Sequence, residues 1–271
     1  DAQMLAHYER GTEHDRLLLG GAGRLEYLRT RGLLARHLPA APATVLDVGG
    51  GTGAYAFALA EEGYSVYLVD PVPLHVERAS AASASRPGAA LAGAQVGDAR
   101  RLPFGDGGAD AVLMLGPLYH LADGHARRQA LAELRRVLRP GGVAISAYLN
   151  SWGLLRTGLN DFPRWYRDAE FARGLMQPQS FSAERLRNFT ETHWSSPPAA
   201  MDEIRGAGFD VLTYIGAEGF CGGMGPQLES LAAGDPEAYA NIVAFAVETS
   251  ELPQYRDATD HLHFVLRKGD G

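Results

Sequence analysis

The sequence predicts an α/β fold, a largely parallel sheet with helices on both faces. Three observations carry this. Short apolar strands alternate with helical stretches from residue 45 to residue 149, and the fourth of these strands is apolar on both faces, as a buried parallel strand is. The third observation is Val45-Leu46-Asp47-Val48-Gly49-Gly50-Gly51-Thr52-Gly53, an apolar run that breaks into glycines and resumes as the helical Ala54–Ala60. Glycines there let a ligand approach main-chain N–H groups, and the following helix turns its positive end to the same spot. Such a loop either cradles a nucleotide-like ligand or simply packs a helix closely on a sheet.

The 271 residues are 46% hydrophobic and 21% charged, the composition of a soluble globular chain with a large core. A net charge of −7 opposes a nucleic-acid partner, whose binding rests on basic surface. The single cysteine, Cys221, excludes an intrachain disulfide, and no Cys/His spacing of the zinc type occurs. No apolar run is long enough to span a bilayer and Asp1–Arg10 holds no signal-peptide core. The expectation is a cytoplasmic protein with no metal and no membrane partner.

The elements follow in order. Residues 4–19 and 22–37 carry helical periodicity broken at Gly20-Gly21, a helical preface that Pro39 and Pro42 close. After the glycine loop and its helix, residues 64–70 form a second strand that ends in Asp70, 19 positions beyond Gly51. That is close to the spacing of roughly 20 at which an acid accepts ribose hydroxyls. The alternative is a turn or capping aspartate ahead of Pro71 and Pro73. Residues 74–84 read as helix and 94–96 as a third strand, leading into Gly97-Asp98-Ala99 and Leu102-Pro103-Phe104. An acid followed by small apolar groups suits an adenine site, or else an exposed turn.

The fourth strand, 110–115, exits into Gly116-Pro117-Leu118-Tyr119-His120, where two side chains could hydrogen-bond a ligand. Residues 125–138 form an amphipathic helix with Arg127, Arg128, Arg135 and Arg136 expected toward water, and Arg139-Pro140-Gly141-Gly142 stops it before a fifth strand at 143–149. Residues 151–196 break the rhythm with helical sequence rich in aromatics, among them Trp152, Phe162, Trp165, Phe171, Phe181, Phe189 and Trp194. This insertion either builds its own small core or lines a ligand pocket. A helix over 197–206, a strand over 208–215, a helix over 226–249 and a last strand over 261–268 complete the chain. In an open sheet of this kind the ligand belongs at the carboxyl ends of the strands.

At these residues the chain resembles class I S-adenosylmethionine-dependent methyltransferases over most of its length. Asp47-Val48-Gly49-Gly50-Gly51-Thr52-Gly53 is similar to their acid-x-G-x-G-x-G motif, Asp70 to their ribose acid, Gly97-Asp98-Ala99 to their adenine loop and Leu138–Gly142 to their turn before strand five. The resemblance implies a Rossmann-like, seven-stranded, mostly parallel sheet with an antiparallel last strand, a helical N-terminal cover and a helical lid insertion. It divides the chain into a cover (1–38), a cofactor-binding core (39–150), a lid (151–196) and the remainder of the core (197–271). The implied cofactor is S-adenosyl-L-methionine. Asp47, Gly49, Gly51 and Gly53 belong to its loop, with Gly49 and Gly51 along its methionine part, Asp70 and Pro71 at its ribose, Asp98 and Ala99 at its adenine, and Leu115 and Tyr119 near the sulfonium. Tyr8, Arg16 and Arg24 of the preface are candidates to reach its carboxylate.

The implied reaction is direct, in-line methyl transfer, which needs alignment and water exclusion more than covalent catalysis. If the acceptor loses a proton, Tyr119 and His120 are the nearest candidates to take it, with His193 and Tyr148 further off. A small-molecule acceptor, of the kind made in bacterial secondary metabolism, is the expectation. The alternatives are a peptide methyltransferase, a non-catalytic cofactor-binding protein, and an NAD-dependent oxidoreductase, against which stand the glycine spacing and the single lysine, Lys268. Monomer and dimer both remain open.

Overall fold

The computed structural model describes residues 2–9, 17, 21–186 and 190–269. Arg16 and Phe189, both singled out above, lie outside the described residues, as does most of the stretch between the two preface helices. Helix α1 is Ala2–Tyr8 and α2 is Gly21–His37. The strand and helix units β1 (Thr44–Val48), α3 (Ala54–Glu61), β2 (Ser65–Asp70), α4 (Pro73–Ala84), β3 (Gly93–Val96) and β4 (Ala109–Met114) follow as the apolar pattern predicts. Next come the single turn α5 (Pro117–His120), α6 (Gly124–Val137) and β5 (Leu138–Asn150).

These strands form a parallel sheet in the order β3-β2-β1-β4-β5. Strand β9 (His261–Lys268) runs antiparallel along β5 from Val143↔Arg267 to Leu149↔His261, and β8 (Phe209–Gly216) pairs antiparallel with β9. The seven-stranded, mostly parallel sheet with its antiparallel last strand is therefore present. Strand β5 starts earlier than 143 because Leu138 already pairs with Ala109; Arg139–Gly142 then bulges before regular pairing resumes at Ala111↔Val143.

The insertion is only partly helical. It holds α7 (Leu154–Asp161), a 3-10 turn at Pro163–Arg167 and α8 (Ala169–Gly174), but also β6 (Gln179–Phe181) and β7 (Thr192–Ser195), an antiparallel pair. Strand β7 runs parallel to β5 at Leu149↔Trp194 and Asn150↔Ser195. Since Leu149 gives its other edge to His261 of β9, β7 takes the edge that β4 leaves beyond Met114. The sequence His193-Trp194-Ser195 is too short to show period two, and the free edge of β5 is what turns it into strand.

The expected helix over 226–249 is two helices, α10 (Gly225–Gly234) and α11 (Pro236–Thr249), after α9 (Pro197–Gly206). Pro236 has no N–H to continue α10, and Asp235 caps α11 by accepting from the Ala238 N–H at 3.0 Å. A last turn, α12 (Pro253–Arg256), leads into β9. Strand alternation sorts the core. Leu46, Val48, Val112 and Met114 pack under α6 and α9, while Val45, Val66, Leu68, Ala111 and Leu113 pack under α2, α3 and α4. Asp47 shares the face of Val45, so its side chain is buried at the sheet's carboxyl end beneath the glycine loop.

Among the described residues no helix is long and apolar enough to cross a membrane, and no group of three or more His, Cys, Asp or Glu side chains could hold a metal ion.

Candidate active site

A cleft of about 670 Å³ opens at the carboxyl ends of β1, β2, β3 and β4. Of the residues singled out in the sequence, Tyr8, Asp47, Gly49, Gly51, Asp70, Pro71, Asp98, Ala99, Leu115, Tyr119 and His120 line it. Gly53 and Arg24 do not. Gly53 lies one step beyond the loop at the cap of α3, where a Cβ would stand 2.8 Å from the Phe57 ring, so its need for glycine is met inside the fold. Arg24 is exposed on α2, while Glu26, roughly 200° further round at about 100° per residue, lines the cleft instead.

The glycine loop is fastened from two sides. Val69 O accepts from the Gly49 N–H at 2.7 Å, and Asp70 Oδ2 accepts from the Gly51 N–H at 2.8 Å. Asp70 Oδ1 accepts from the Val72 N–H at 2.9 Å and from His75 Nδ1 at 3.1 Å. Asp70 thus holds the loop and the start of α4, the turn role, and also lines the cleft.

Asp47 is buried, and its Oδ2 makes no hydrogen bond. Burial first, and the neighbouring Asp70 charge second, push its carboxyl up to about 7 against the Ala56 N–H bond that favours ionisation. A buried acid with an orphaned oxygen fits a cationic group placed beside it, such as the ammonium of an amino-acid moiety. At the far end, Asp98 is held by Arg100 through Nε at 2.9 Å and the backbone N–H at 2.8 Å, which keeps its carboxyl below the usual range. Arg100 lines the cleft beside it.

At the exit of β4, His120 lies between two covering segments. Its Nε2 is 2.9 Å from the Tyr8 hydroxyl of α1, and its Nδ1 is 3.1 Å from the Thr190 hydroxyl of the insertion. The Tyr119 ring lies 4.7 Å from that of His120. The loop beyond is pinned by Arg127, which is buried and not solvated as the helical pattern implied. Arg127 pairs with Glu203 at 3.0 Å and donates to the carbonyls of Leu121 and Ala122. The helix face it occupies is covered by α9, a neighbour distant in sequence.

Tyr148 and His193 do not line the cleft. Tyr148 donates to Glu203 Oε2 at 3.2 Å, and burial raises its hydroxyl well above the ordinary value. His193 sits 3.0 Å from the Ser180 hydroxyl, and burial pushes it down to about 4. The insertion's aromatics mostly build its own core: Trp165 stacks between Phe162 at 4.4 Å and Phe181 at 5.4 Å and meets Phe171 edge-on. Among the described residues of the insertion, only Glu191 lines the cleft.

Sequence reading missed Glu26, His75, Arg100, Asp123 and Glu191 as lining residues. His75 and Arg100 were within reach, since each lies in the first turn beyond a strand whose terminal acid was already singled out. Glu26 and Glu191 carry no local signal.

Comparison with known proteins fits this geometry. Residues 46–146 match the family described as a methyltransferase domain. An uncharacterized methyltransferase of Mycobacterium tuberculosis is 40% identical over 187 residues, 65% of this chain and 69% of the relative. One from Mycolicibacterium gilvum is 35% identical over 144 residues, so the match spans about half, 52%, of each chain. Among solved structures, a methyltransferase from Methanosarcina mazei superposes with a TM-score of 0.60 at 18% identity, over 88% of this chain and 97% of that one. The [4+2]-cyclase SpnF superposes at 0.59 with 20% identity, over 91% and 82%.

Proposed function

The chain belongs to the methyltransferase family of its mycobacterial relatives, and from that premise we propose that it is a class I enzyme that transfers the methyl group of S-adenosylmethionine to a small-molecule acceptor. The observation that carries this reading is one cleft holding the glycine loop, the terminal acids of two neighbouring strands and the roofed exit of β4. Its volume is that of a small-molecule site. The roof, Tyr8 and Thr190 on His120 with Glu191 lining the cleft beside them, favours a small acceptor or a chain end over a folded partner, and the charge of −7 disfavours nucleic acid.

When bound, S-adenosylmethionine supplies an electrophilic methyl on a sulfonium. Gly49 and Gly51 would bear its methionine part, with Asp47 Oδ2 beside the ammonium. Asp70 and Pro71 would hold the ribose, Asp98 and Ala99 the adenine, and Leu115 and Tyr119 would wall the transfer point. Segments 1–38 and 151–196 would cover the core and exclude water. His120 and Tyr119 line the cleft and would face the acceptor; for His120 to take a proton, the Tyr8 or Thr190 hydroxyl would have to give way to the acceptor.

Calorimetric titration with S-adenosylmethionine, S-adenosylhomocysteine and NAD tests the cofactor. The first two should bind and NAD should not; tighter binding of NAD would reverse the assignment. Because a cyclase carries the same fold, turnover is read separately, as S-adenosylhomocysteine formed with panels of small phenols, amines and thiols against a peptide library.

A further inference from the structure

An ionised carboxylate accepts about four hydrogen bonds. Asp70 already spends three of them inside the chain, on the Gly51 N–H at 2.8 Å, the Val72 N–H at 2.9 Å and His75 Nδ1 at 3.1 Å. The one place left is on Oδ2. A ribose offers two neighbouring hydroxyls, so Asp70 can receive one and the other needs a different partner.

His75 is placed to be that partner. It sits in the first turn of α4, its side chain is 6% exposed, and it lines the cleft next to Asp70. The Tyr8 ring covers it edge-on at 5.8 Å while the Tyr8 hydroxyl is turned to His120. In the neutral imidazole, an Nδ1–H given to the Asp70 carboxylate leaves the lone pair on Nε2, which points away from Asp70. No hydrogen bond to Nε2 is made among the described residues. Nε2 is not among the fully buried unpaired atoms; His75 lines the cleft, where a hydroxyl can reach this nitrogen and donate to it.

We propose that His75 is a ribose ligand in its own right, Nε2 accepting one hydroxyl while Asp70 accepts the other. This rests on the cofactor reading above. The pair then reads the diol as a unit, and the Asp70–His75 bond fixes the imidazole tautomer that accepts.

The test is a cycle of three ligands and three proteins. S-adenosylhomocysteine and its 2′-deoxy and 3′-deoxy forms are titrated calorimetrically into wild type, His75→Leu and His75→Gln, with thermal melts as the check of folding. Wild type should lose about tenfold in affinity on removal of either hydroxyl. His75→Leu should bind S-adenosylhomocysteine about tenfold more weakly, ignore removal of one hydroxyl, and keep the full loss on removal of the other. His75→Gln, whose amide oxygen accepts, should recover most of the affinity. Equal losses by His75→Leu for all three ligands would overturn the proposal and leave His75 as support for Asp70. Should His75→Leu not fold, 15N-labelled histidine in wild type decides: the His75 Nε2 signal should move with S-adenosylhomocysteine and not with one deoxy form, and equal movement with all three refutes the assignment. Failure of wild type to bind S-adenosylhomocysteine at all would instead refute the cofactor reading.

Discussion

Two acids at the ends of neighbouring strands meet the same cleft under opposite conditions. Asp70 is surrounded by donors, whereas Asp47 has the Ala56 N–H and one orphaned oxygen in a buried site. An acid raised to about 7 on folding contributes stability that is present below its unfolded value, near 4, and is lost as pH rises through 7. Each tenfold change in an acid's ionisation constant is worth about 1.4 kcal/mol, so the unliganded protein should lose on the order of 4 kcal/mol from this group between pH 4 and pH 8. Asp47→Asn has no such proton to lose. Urea unfolding at pH 5 and pH 8 should show the variant gaining on wild type at the higher pH, and a parallel response would contradict the buried-acid argument. Taking the difference between the two proteins matters, because His263, pushed down to about 4 by burial, titrates in both with the opposite sign. Its share of stability is present above about 6.5 and is lost as pH falls through 4. The same variant should bind S-adenosylhomocysteine more weakly, since a neutral amide cannot offset an ammonium.

At the scale of elements, the glycine loop and α5 are a single mechanical unit. Gly49 has φ +73°, and a Cβ there would stand 2.7 Å from the Pro117 ring, the first residue of the turn that carries Tyr119 and His120. Gly51 has φ +58° with open space where a Cβ would go, and it lines the cleft. The two positions should separate fold from ligand. Gly49→Ala is expected to cost about 2–3 kcal/mol of stability, from left-handed strain plus the clash. Gly51→Ala should cost only about 1 kcal/mol of strain but place its methyl where the ligand lies, weakening S-adenosylhomocysteine by tenfold or more. Melting temperatures and titration of both variants check this. Equal melting temperatures would mean that Pro117 yields freely, and the loop would then not position α5.

Across the whole molecule, His120 ties together three distant parts of the chain: α1 through Tyr8, the exit of β4, and the insertion through Thr190. Cover and insertion should accordingly become ordered together when a ligand fills the cleft. Hydrogen exchange with and without S-adenosylhomocysteine should show protection in peptides spanning 2–9 and 190–195. Tyr8→Phe, lacking the hydroxyl that meets His120, should lose that protection in both. If these peptides stay equally labile while protection appears elsewhere, closure over the cleft is wrong, and the acceptor site is to be sought around Gly219–Gly225.

Local sequence determined the parallel sheet, the glycine loop and the acids Asp70 and Asp98. Strands buried on both faces must be apolar throughout, and a backbone that turns sharply into a helix must use glycine, so both constraints are written in consecutive residues. It could not determine that Arg127 is buried, that Trp165 is spent on the insertion's own core, or that residues 192–195 become strand. Each of those depends on a partner remote in sequence: Glu203 for the arginine, Phe162 and Phe181 for the tryptophan, and the edge of β5 that β4 leaves open for the strand. Only the tertiary structure decided that Arg24 faces away from the cleft and Glu26 toward it, and that His75 joins Asp70. Helix phase and strand alternation give a side chain's direction relative to its own element; what lies in that direction is fixed by how the elements pack.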